Sequence, residues 1–251
     1  MTVRVETSHD GKMLRLVLDG APANVLDAAR IDALTEAVAH ADDRVMLIVF
    51  DHEGPHFSFG ASVPEHQQAQ AASMLARFHA LFLAMAEKAI PTAALVRGRC
   101  LGGGLELASW CTWVVAAPDA KLGQPEIKLA VFPPMASVLL PWRVGGGAAV
   151  DLCVSGRTID ATEAHRIGLV SAIADDPRAW LEDFFDTHLA PGSAASLRYA
   201  ERAARASLMA ELNLRLPWLE RLYLFELMKT HDANEGIRAF MAKEAPRYEH
   251  R

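Results

Sequence analysis

The chain has 251 residues, of which 51% are hydrophobic and 22% are charged, and this balance indicates one folded globular core rather than a disordered chain. Its 25 Lys and Arg residues against 31 Asp and Glu residues give a net charge of −6, which argues against a typical nucleic-acid-binding protein. No apolar run approaches the roughly 20 residues that cross a bilayer, and we expect a protein of the cytoplasm. The three cysteines lack metal-site spacing, and we expect them to be reduced.

The N-terminal half alternates strand patterns with helix patterns. The segment from Met1 to Asp10 alternates like a strand and contains acidic residues, unlike a secretory signal, so we expect the mature chain to begin here. Strands are predicted at residues 3–7, 13–18, 45–50, 92–96 and 112–116, and helices at residues 26–41, 71–88 and 105–109. This alternation predicts an α/β fold with parallel strands.

Beyond residue 160 the sequence is dominated by helix patterns. Helical spacing predicts a C-terminal helical region with helices at residues 179–188, 194–207, 212–229 and 233–243. Asp232 is followed three residues later by Glu235, a capping-box spacing that predicts the start of the last helix. The apolar run at residues 214–228 is expected in the core or in a subunit interface.

The histidines do not predict a metal site. The segment His52–His56 matches the HExxH pattern of zinc proteases, but a glycine and a proline occupy its middle and oppose the helix that this pattern needs. We therefore predict a turn there and no bound metal. His79 and His165 lie on amphipathic helices, and we expect both at the edge of the core or at the surface.

A run of three glycines at residues 102–104 closes a predicted strand and opens the short helix that carries Glu106. The run lacks the spacing of a nucleotide-phosphate motif. On its own it is compatible with a tight turn beside an exposed carboxylate. It is also compatible with an anion site, because N–H groups at a helix start lack partners and glycine lets an oxygen atom approach. Glu126, which follows Pro125 on a predicted loop, would alone be a solvated charge.

Three segments in order along the chain resemble motifs of the crotonase, or enoyl-CoA hydratase, superfamily. They are residues 56–62 (His-Phe-Ser-Phe-Gly-Ala-Ser), the glycine-rich residues 97–108, and residues 123–126 (Gly-Gln-Pro-Glu). The similarity extends over nearly the whole chain, from residues 20–26 to residues 232–240. It implies a right-handed spiral of strand–strand–helix repeats over residues 1–190, and a C-terminal helical trimerisation region over residues 191–251. It also implies assembly as a homotrimer or homohexamer.

The resemblance assigns roles to individual residues. It implies that the amides of Ala61 and Gly103 polarise a thioester carbonyl group. It also implies that Glu106 orients and activates water and that Glu126 serves the proton on carbon. Three further residues match positions that contact coenzyme A: Ala23, Phe240 and Lys243. Coenzyme A is then part of the substrate, and no separate cofactor is expected.

Two alternatives to hydration remain open within this resemblance. Isomerases, hydrolases and decarboxylases of the superfamily differ at the glutamate positions, whereas both glutamates are present here, which favours a hydratase. Some proteins of this fold bind RNA through lysines on an early helix. The matching segment, residues 26–41, contains no lysine and only Arg30, so an enzyme is favoured over an RNA-binding protein.

Residues 132–137 (Phe-Pro-Pro-Met-Ala-Ser) stand where many hydratases of the family have a glycine-rich segment. Together with residues 56–63 and 99–106, they most resemble the cyclic dienoyl-CoA hydratases of anaerobic aromatic degradation, which act on cyclohexa-1,5-diene-1-carbonyl-CoA. Two prolines stiffen a pocket wall and add apolar surface, which suits a compact ring. The resemblance therefore implies this substrate, with a generic enoyl-CoA hydratase, or an enoyl-CoA isomerase or hydrolase, as alternatives.

Overall fold

The computed structural model describes residues 3–251, and Met1 and Thr2, where the predicted N-terminal segment begins, lie outside this range. The strands of the described chain are β1 (Val3–Ser8), β2 (Met13–Leu18), β3 (Leu47–His52), β4 (Thr92–Val96), β5 (Arg99–Leu101), β6 (Trp113–Ala116), β7 (Lys121–Gly123), β8 (Thr158–Asp160) and β9 (Ala172–Ile173). Its helices are α1 (Ala28–Ala39), α2 (Gln68–Lys88), α3 (Gly103–Trp110), α4 (Ala136–Val144), α5 (Gly146–Ser155), α6 (Ala161–Arg166), α7 (Pro177–Phe184), α8 (Ala194–Ala204), α9 (Ala206–Phe225) and α10 (His231–Ala242). A short helical turn lies at Pro125–Leu129.

The larger sheet is covered on both faces. Within residues 3–251 its strands have the order β1-β2-β3-β4-β6-β9, and all neighbours except β1 and β2 run parallel. On β3, Ile48 and Phe50 pack into the main core, whereas Leu47 and Val49 pack into a second cluster with Leu181 of α7. Alternate residues of one strand thus face two apolar layers, which is why the strands read as continuous apolar runs. The predicted α/β fold is confirmed.

The smaller sheet joins β5, β7 and β8 and holds two of the motif segments side by side. Strand β5 pairs in parallel with β7, with Leu101 opposite Gly123. The N–H group of Gly102 donates to the carbonyl oxygen of Gly123 at 3.0 Å. Because parallel strands end at the same edge of a sheet, α3 and the turn Pro125–Leu129 leave this edge next to each other. The two predicted glutamates are carried by these two segments.

Helix α9 packs into the main core rather than forming a separate one. Its leucines at positions 208, 212, 216 and 219 are buried in the same cluster as the strands, and their spacing is that of one helix face. The predicted division into residues 1–190 and 191–251 stays a prediction. None of the helices in the described range is long and apolar enough to cross a membrane.

The predicted start of the last helix is wrong. Helix α10 is capped by Thr230, whose side chain accepts a hydrogen bond from the N–H group of Ala233 at 3.2 Å. Asp232 lies in the first turn, and its carboxylate accepts hydrogen bonds from the N–H groups of Glu249 and His250 in the C-terminal tail. Threonine and aspartate both cap helices, so the sequence spacing could not decide between them.

The segment His52–His56 does not form a helix. His52 ends β3 and is buried, and a turn follows in which Gly54 has a φ of 76°. The predicted turn is confirmed. His165, which we expected at the edge of the core or at the surface, is exposed at the end of α6.

Candidate active site

A cavity of about 540 Å³ lies beside the start of α3. We call the part of its lining formed by residues 102–106 and the turn Pro125–Leu129 the glutamate wall, and the part formed by α2 and by Tyr223 of α9 the helical wall. Five of the seven predicted site residues line this cavity: Ala61, Gly103, Glu106, Glu126 and Phe240. Residues that are far apart in the sequence are thus brought to one place.

The N–H groups of Ala61 and Gly103 lie next to each other on the glutamate side. A Cβ atom on Gly103 would lie 3.1 Å from the amide nitrogen of Ala61, so the two backbones are in contact. Within residues 3–251 neither N–H group donates to another backbone group of the protein, since Gly103 opens α3 and the first N–H groups of a helix have no partner within it. Two such donors side by side can bind an oxygen atom that gains negative charge.

Glu106 is buried on α3, with 5% of its surface exposed. Its Oε1 accepts a hydrogen bond of 2.7 Å from the N–H group of Ala136, the first residue of α4. Burial raises the pKa of Glu106 to about 7, and hydrogen bonds from the N–H groups of Ala136 and Met135 oppose this rise because they stabilise the charged form. The carboxyl group can therefore gain or lose a proton near neutral pH, as a general acid or base must.

Glu126 lies on the turn that follows β7. Burial raises the pKa of its carboxyl group well above the usual range, and the negative charge of Glu106 raises it further. With its amide oriented to satisfy its neighbours, Gln124 donates to both carboxyl oxygens of Glu126 at 3.1 Å and to the carbonyl oxygen of Gly102 at 3.2 Å. Because two neighbouring carboxylates repel each other, this pair favours the state that keeps one proton.

Gly102 limits where the carboxyl group of Glu126 can lie. Its φ of 52° is in the left-handed region, and a Cβ atom at this position would lie 2.7 Å from Oε1 of Glu126. Glycine therefore permits both the backbone conformation and the close approach of the carboxyl group. The glycine run in the sequence has a specific structural reason at this residue.

Most of the remaining cavity surface is apolar. Met74, Leu75 and Phe78 line it from α2, and Pro133 and Pro134 line it from the segment before α4. Both prolines are buried, so the segment that departs from the glycine-rich family pattern forms part of the wall. An apolar cavity with a few polar groups concentrated in it is typical of a site for a small molecule.

Three polar residues at this site were not identified as functional from the sequence. Gln124 is fully buried within the segment 123–126, and its place beside Glu126 was a signal that could have identified it. His79 is 3% exposed and lines the cavity, so the predicted position at the core edge or surface is wrong. Tyr223 also lines the cavity, although its apolar helix predicted only core or subunit interface. No local pattern marks these two residues.

The residues predicted to contact coenzyme A are not all at the cavity. Phe240 lines it and is 56% exposed. Ala23 lies beside it, because its carbonyl oxygen accepts a hydrogen bond of 2.9 Å from the N–H group of Phe59, a cavity residue. Lys243 is exposed at the end of α10 and is not a lining residue, whereas Lys128, which the sequence did not single out, is one. The coenzyme A contacts of these residues stay predictions.

Comparisons with known proteins give matches over almost the whole chain. The family model described as enoyl-CoA hydratase/isomerase matches residues 13–251. The chain is 48% identical over 251 residues to cyclohexa-1,5-dienecarbonyl-CoA hydratase of Thauera aromatica, with 99% of this chain and 97% of that protein covered. It is 31% identical over 237 residues to the human mitochondrial methylglutaconyl-CoA hydratase, with 90% and 70% covered. A crystal structure of an enoyl-CoA hydratase from Mycobacterium avium matches with a TM-score of 0.86 at 26% identity and covers 98% of both chains.

Proposed function

The chain belongs to the enoyl-CoA hydratase/isomerase family, and we propose that it adds water to a conjugated enoyl-CoA thioester, with cyclohexa-1,5-diene-1-carbonyl-CoA as its substrate. The resemblance of the motif segments to the crotonase superfamily is confirmed by the family match. One observation carries the proposed reaction. Glu106 and Glu126 share a cavity with the backbone N–H groups of Ala61 and Gly103, and the pKa values of both carboxyl groups are raised.

The proposed mechanism uses each of these groups once. The N–H groups of Ala61 and Gly103 bind the thioester carbonyl oxygen, on which negative charge develops as water attacks the conjugated double bond. Ionised Glu106 takes a proton from the attacking water molecule, whose oxygen bonds to carbon. Protonated Glu126 delivers its proton to the other carbon of the former double bond. One hydrogen and one hydroxyl group are thereby added, and a proton exchange with solvent restores the pair.

The electrostatics of the pair support this division of roles. The N–H group of Ala136 donates to Glu106, and α4 begins at this residue, so a helix N-terminus stabilises the ionised form of Glu106. The charge of Glu106 in turn raises the pKa of Glu126, which favours the protonated form of Glu126. Two carboxyl groups in different environments can thus serve as base and acid at the same pH.

The proposed substrate rests on the relative from Thauera aromatica, which is named for hydration of cyclohexa-1,5-dienecarbonyl-CoA, and on the shape of the cavity. Pro133 and Pro134 are buried in its wall. Proline restricts the backbone, so this wall cannot adapt freely to a long acyl tail. A rigid apolar wall suits a compact six-membered ring.

The test is to incubate the purified protein with the cyclic dienoyl-CoA and with crotonyl-CoA and to follow the products by mass. We expect a mass gain of one water, and a kcat/KM for the cyclic substrate at least about tenfold above that for crotonyl-CoA, the discrimination that apolar pocket contacts can supply. Equal or higher rates with crotonyl-CoA would indicate a generic enoyl-CoA hydratase. An unchanged mass with a shifted double bond, or release of free coenzyme A, would indicate an isomerase or a hydrolase.

The RNA-binding alternative finds little support in the fold. The single basic residue of α1 is Arg30, and it is 5% exposed. Its guanidinium group donates to the backbone carbonyl oxygen of Val25. A phosphate backbone requires clustered and accessible cations, which this helix does not offer.

We also propose that the protein assembles as a trimer or as paired trimers. Leu214, Trp218 and Phe225 are each more than half exposed on α9, and a helix with such apolar residues on its outer side is stabilised when a subunit covers it. Light scattering at micromolar concentration is expected to give three or six times the mass of the 27.3 kDa chain. A monomeric mass would contradict the proposed assembly.

The cytoplasm remains the proposed location. Cys100 and Cys111 are buried free thiols, and Cys153 is partly buried and also free. Free thiols are the state expected for cysteines in a reducing compartment.

A further inference from the structure

The helical wall contains two buried polar atoms without hydrogen-bond partners. Within residues 3–251, Nε2 of His79 and the hydroxyl oxygen of Tyr223 are both buried and contact no donor or acceptor. The two residues are 3% and 1% exposed, and both line the cavity that contains the two glutamates. Proteins rarely bury polar atoms without partners because this lowers stability. Two such atoms at one cavity therefore point to a ligand that satisfies them.

These two side chains lie on α2 and α9, which pack against each other, and both line the same cavity. Nδ1 of His79 lies 2.5 Å from Oε1 of Glu220, and this contact fixes the imidazole ring. Tyr223 follows Glu220 by three residues on α9, so the two lie on the same helix face. One turn before His79, Leu75 shares an apolar cluster with Tyr223. The packing of the two helices thus places the imidazole ring and the phenol ring on the wall of one cavity.

The hydrogen-bonding character of each atom follows from its neighbours. A carboxylate oxygen only accepts, so Nδ1 of His79 carries a hydrogen toward Oε1 of Glu220. An imidazole ring with its single hydrogen on Nδ1 has Nε2 as an acceptor. Burial, together with the charges of Glu126 and Glu106, raises the pKa of Tyr223 above its usual range. The phenol therefore stays protonated and can donate. A donor and an acceptor that line one cavity are together complementary to a hydroxyl group, which accepts one hydrogen bond and donates another.

We propose that Tyr223 and His79, with the imidazole ring oriented by Glu220, form a hydroxyl-binding subsite for the acyl group of the thioester. This inference rests on the proposed function in one respect, which is that the cavity holds the acyl group of a thioester. Hydration itself adds a hydroxyl group to the substrate, and Tyr223 lines the same cavity as the two glutamates that the proposed mechanism uses. The subsite then positions the hydroxylated product and distinguishes it from acyl groups without a hydroxyl group.

The test measures binding rather than turnover, so that it is independent of the proposed reaction. Benzoyl-CoA, 2-hydroxybenzoyl-CoA and 3-hydroxybenzoyl-CoA present a six-membered ring, and their aromatic rings do not exchange water with the enzyme. Calorimetry with the wild-type protein is expected to show at least one hydroxylated ligand binding about tenfold or more tightly than benzoyl-CoA, the weight of one hydrogen bond. Tyr223→Phe and His79→Phe are each expected to reduce this ratio to about twofold or less.

The matched control is Tyr199→Phe, the same change on α8 at a residue that is 71% exposed, and it should leave the ratio unchanged. Because the hydroxyl group of Tyr223 has no hydrogen-bond partner among residues 3–251, Tyr223→Phe should keep or raise the melting temperature. Equal wild-type affinity for all three ligands would overturn the proposal, as would a ratio that survives Tyr223→Phe. Tyr223→Phe weakening benzoyl-CoA as much as the hydroxylated ligands would indicate a bound water molecule instead. A protein that passes this test but does not hydrate the cyclic diene would lose the proposed function and keep the subsite.

Discussion

The glutamate wall and the helical wall of the cavity differ in how their polar side chains are hydrogen-bonded. On the glutamate wall, Glu106 accepts from the backbone of Ala136, and Glu126 accepts from the buried amide of Gln124. On the helical wall, Nε2 of His79 and the hydroxyl group of Tyr223 have no partner among residues 3–251. Groups that must hold a set charge and position during a reaction are supported by the protein itself. Groups that recognise a ligand instead form their hydrogen bonds with that ligand.

This difference predicts separate consequences for mutations on the two walls. Changes on the glutamate wall should act mainly on kcat, because the proposed mechanism gives the two carboxyl groups a change of charge in the transition state. Changes on the helical wall should act mainly on which acyl group binds.

The largest effect is expected from replacing either carboxyl group. Glu106→Gln and Glu126→Gln should each lower kcat by on the order of 10²–10⁴-fold, the usual contribution of a positioned acid or base, because an amide can neither take nor deliver the proton. Steady-state kinetics with the cyclic dienoyl-CoA measures this, and circular dichroism checks that the variants fold. Glu87→Gln, the same change at an exposed position of α2, is the control. Near wild-type turnover in either variant would remove that residue from the mechanism.

A smaller loss is expected from Gly102→Ala, which leaves both carboxyl groups in place but disturbs their geometry. The added methyl group would lie 2.7 Å from Oε1 of Glu126, at a backbone φ of 52°. Because a displacement of about 1 Å in a reacting group can cost on the order of 10²-fold, we expect kcat to fall by roughly 10–10²-fold.

The control for this change is Gly146→Ala at the start of α5, where a Cβ atom meets nothing within 4 Å. This variant should keep its turnover. Equal activity in Gly102→Ala and Gly146→Ala would mean that the glutamate wall tolerates movement of Glu126 and that a fixed position of this carboxyl group is not needed.

The smallest effect concerns stability and pH. Burial raises the pKa of Glu106 from 4.5 to about 7 in the folded chain. A carboxyl group with a raised pKa binds more protons when folded, so its contribution to stability is complete below about pH 4.5 and is lost as the pH rises through about 7. The amide side chain of the Glu106→Gln variant does not ionise, so this variant does not lose stability in this way as the pH rises. Its melting temperature relative to wild type should therefore rise by a few degrees between about pH 5 and about pH 8.

Differential scanning fluorimetry at the two pH values measures this change, with Glu87→Gln again as the reference. A difference between Glu106→Gln and wild type that is the same at both pH values would show that folding does not change the ionisation of Glu106. The helical-wall variant Tyr223→Phe should show no such trend, because the phenol of Tyr223 in the wild-type protein stays protonated throughout this pH range.

The sequence predicted the longer strands and helices of the N-terminal half within a few residues, but it gave no bounds for β5 and β7, which have three residues each. Residues 92–96 are predicted and observed as a strand, and residues 71–88 fall within helix α2. Local patterns are sufficient here because each strand is a continuous apolar run and each helix has one apolar face. Helix ends were less accurate, as at Asp232, since several residues nearby can cap a helix.

The sequence by itself determined the family and the α/β fold, and it identified Glu106 and Glu126 as candidate site residues. It could do so because the glycine run before Glu106 and the Gly-Gln-Pro-Glu segment are local patterns. Only the tertiary structure decided what surrounds them. The pairing of β5 with β7 brings the two segments to one edge, and the packing of α2 on α9 brings His79 to Glu220, 141 residues away along the chain. On an apolar helix a residue that packs in the core and one that lines a cavity have the same periodicity. The role of Tyr223 therefore depends on which helices meet, and no local pattern contains that information.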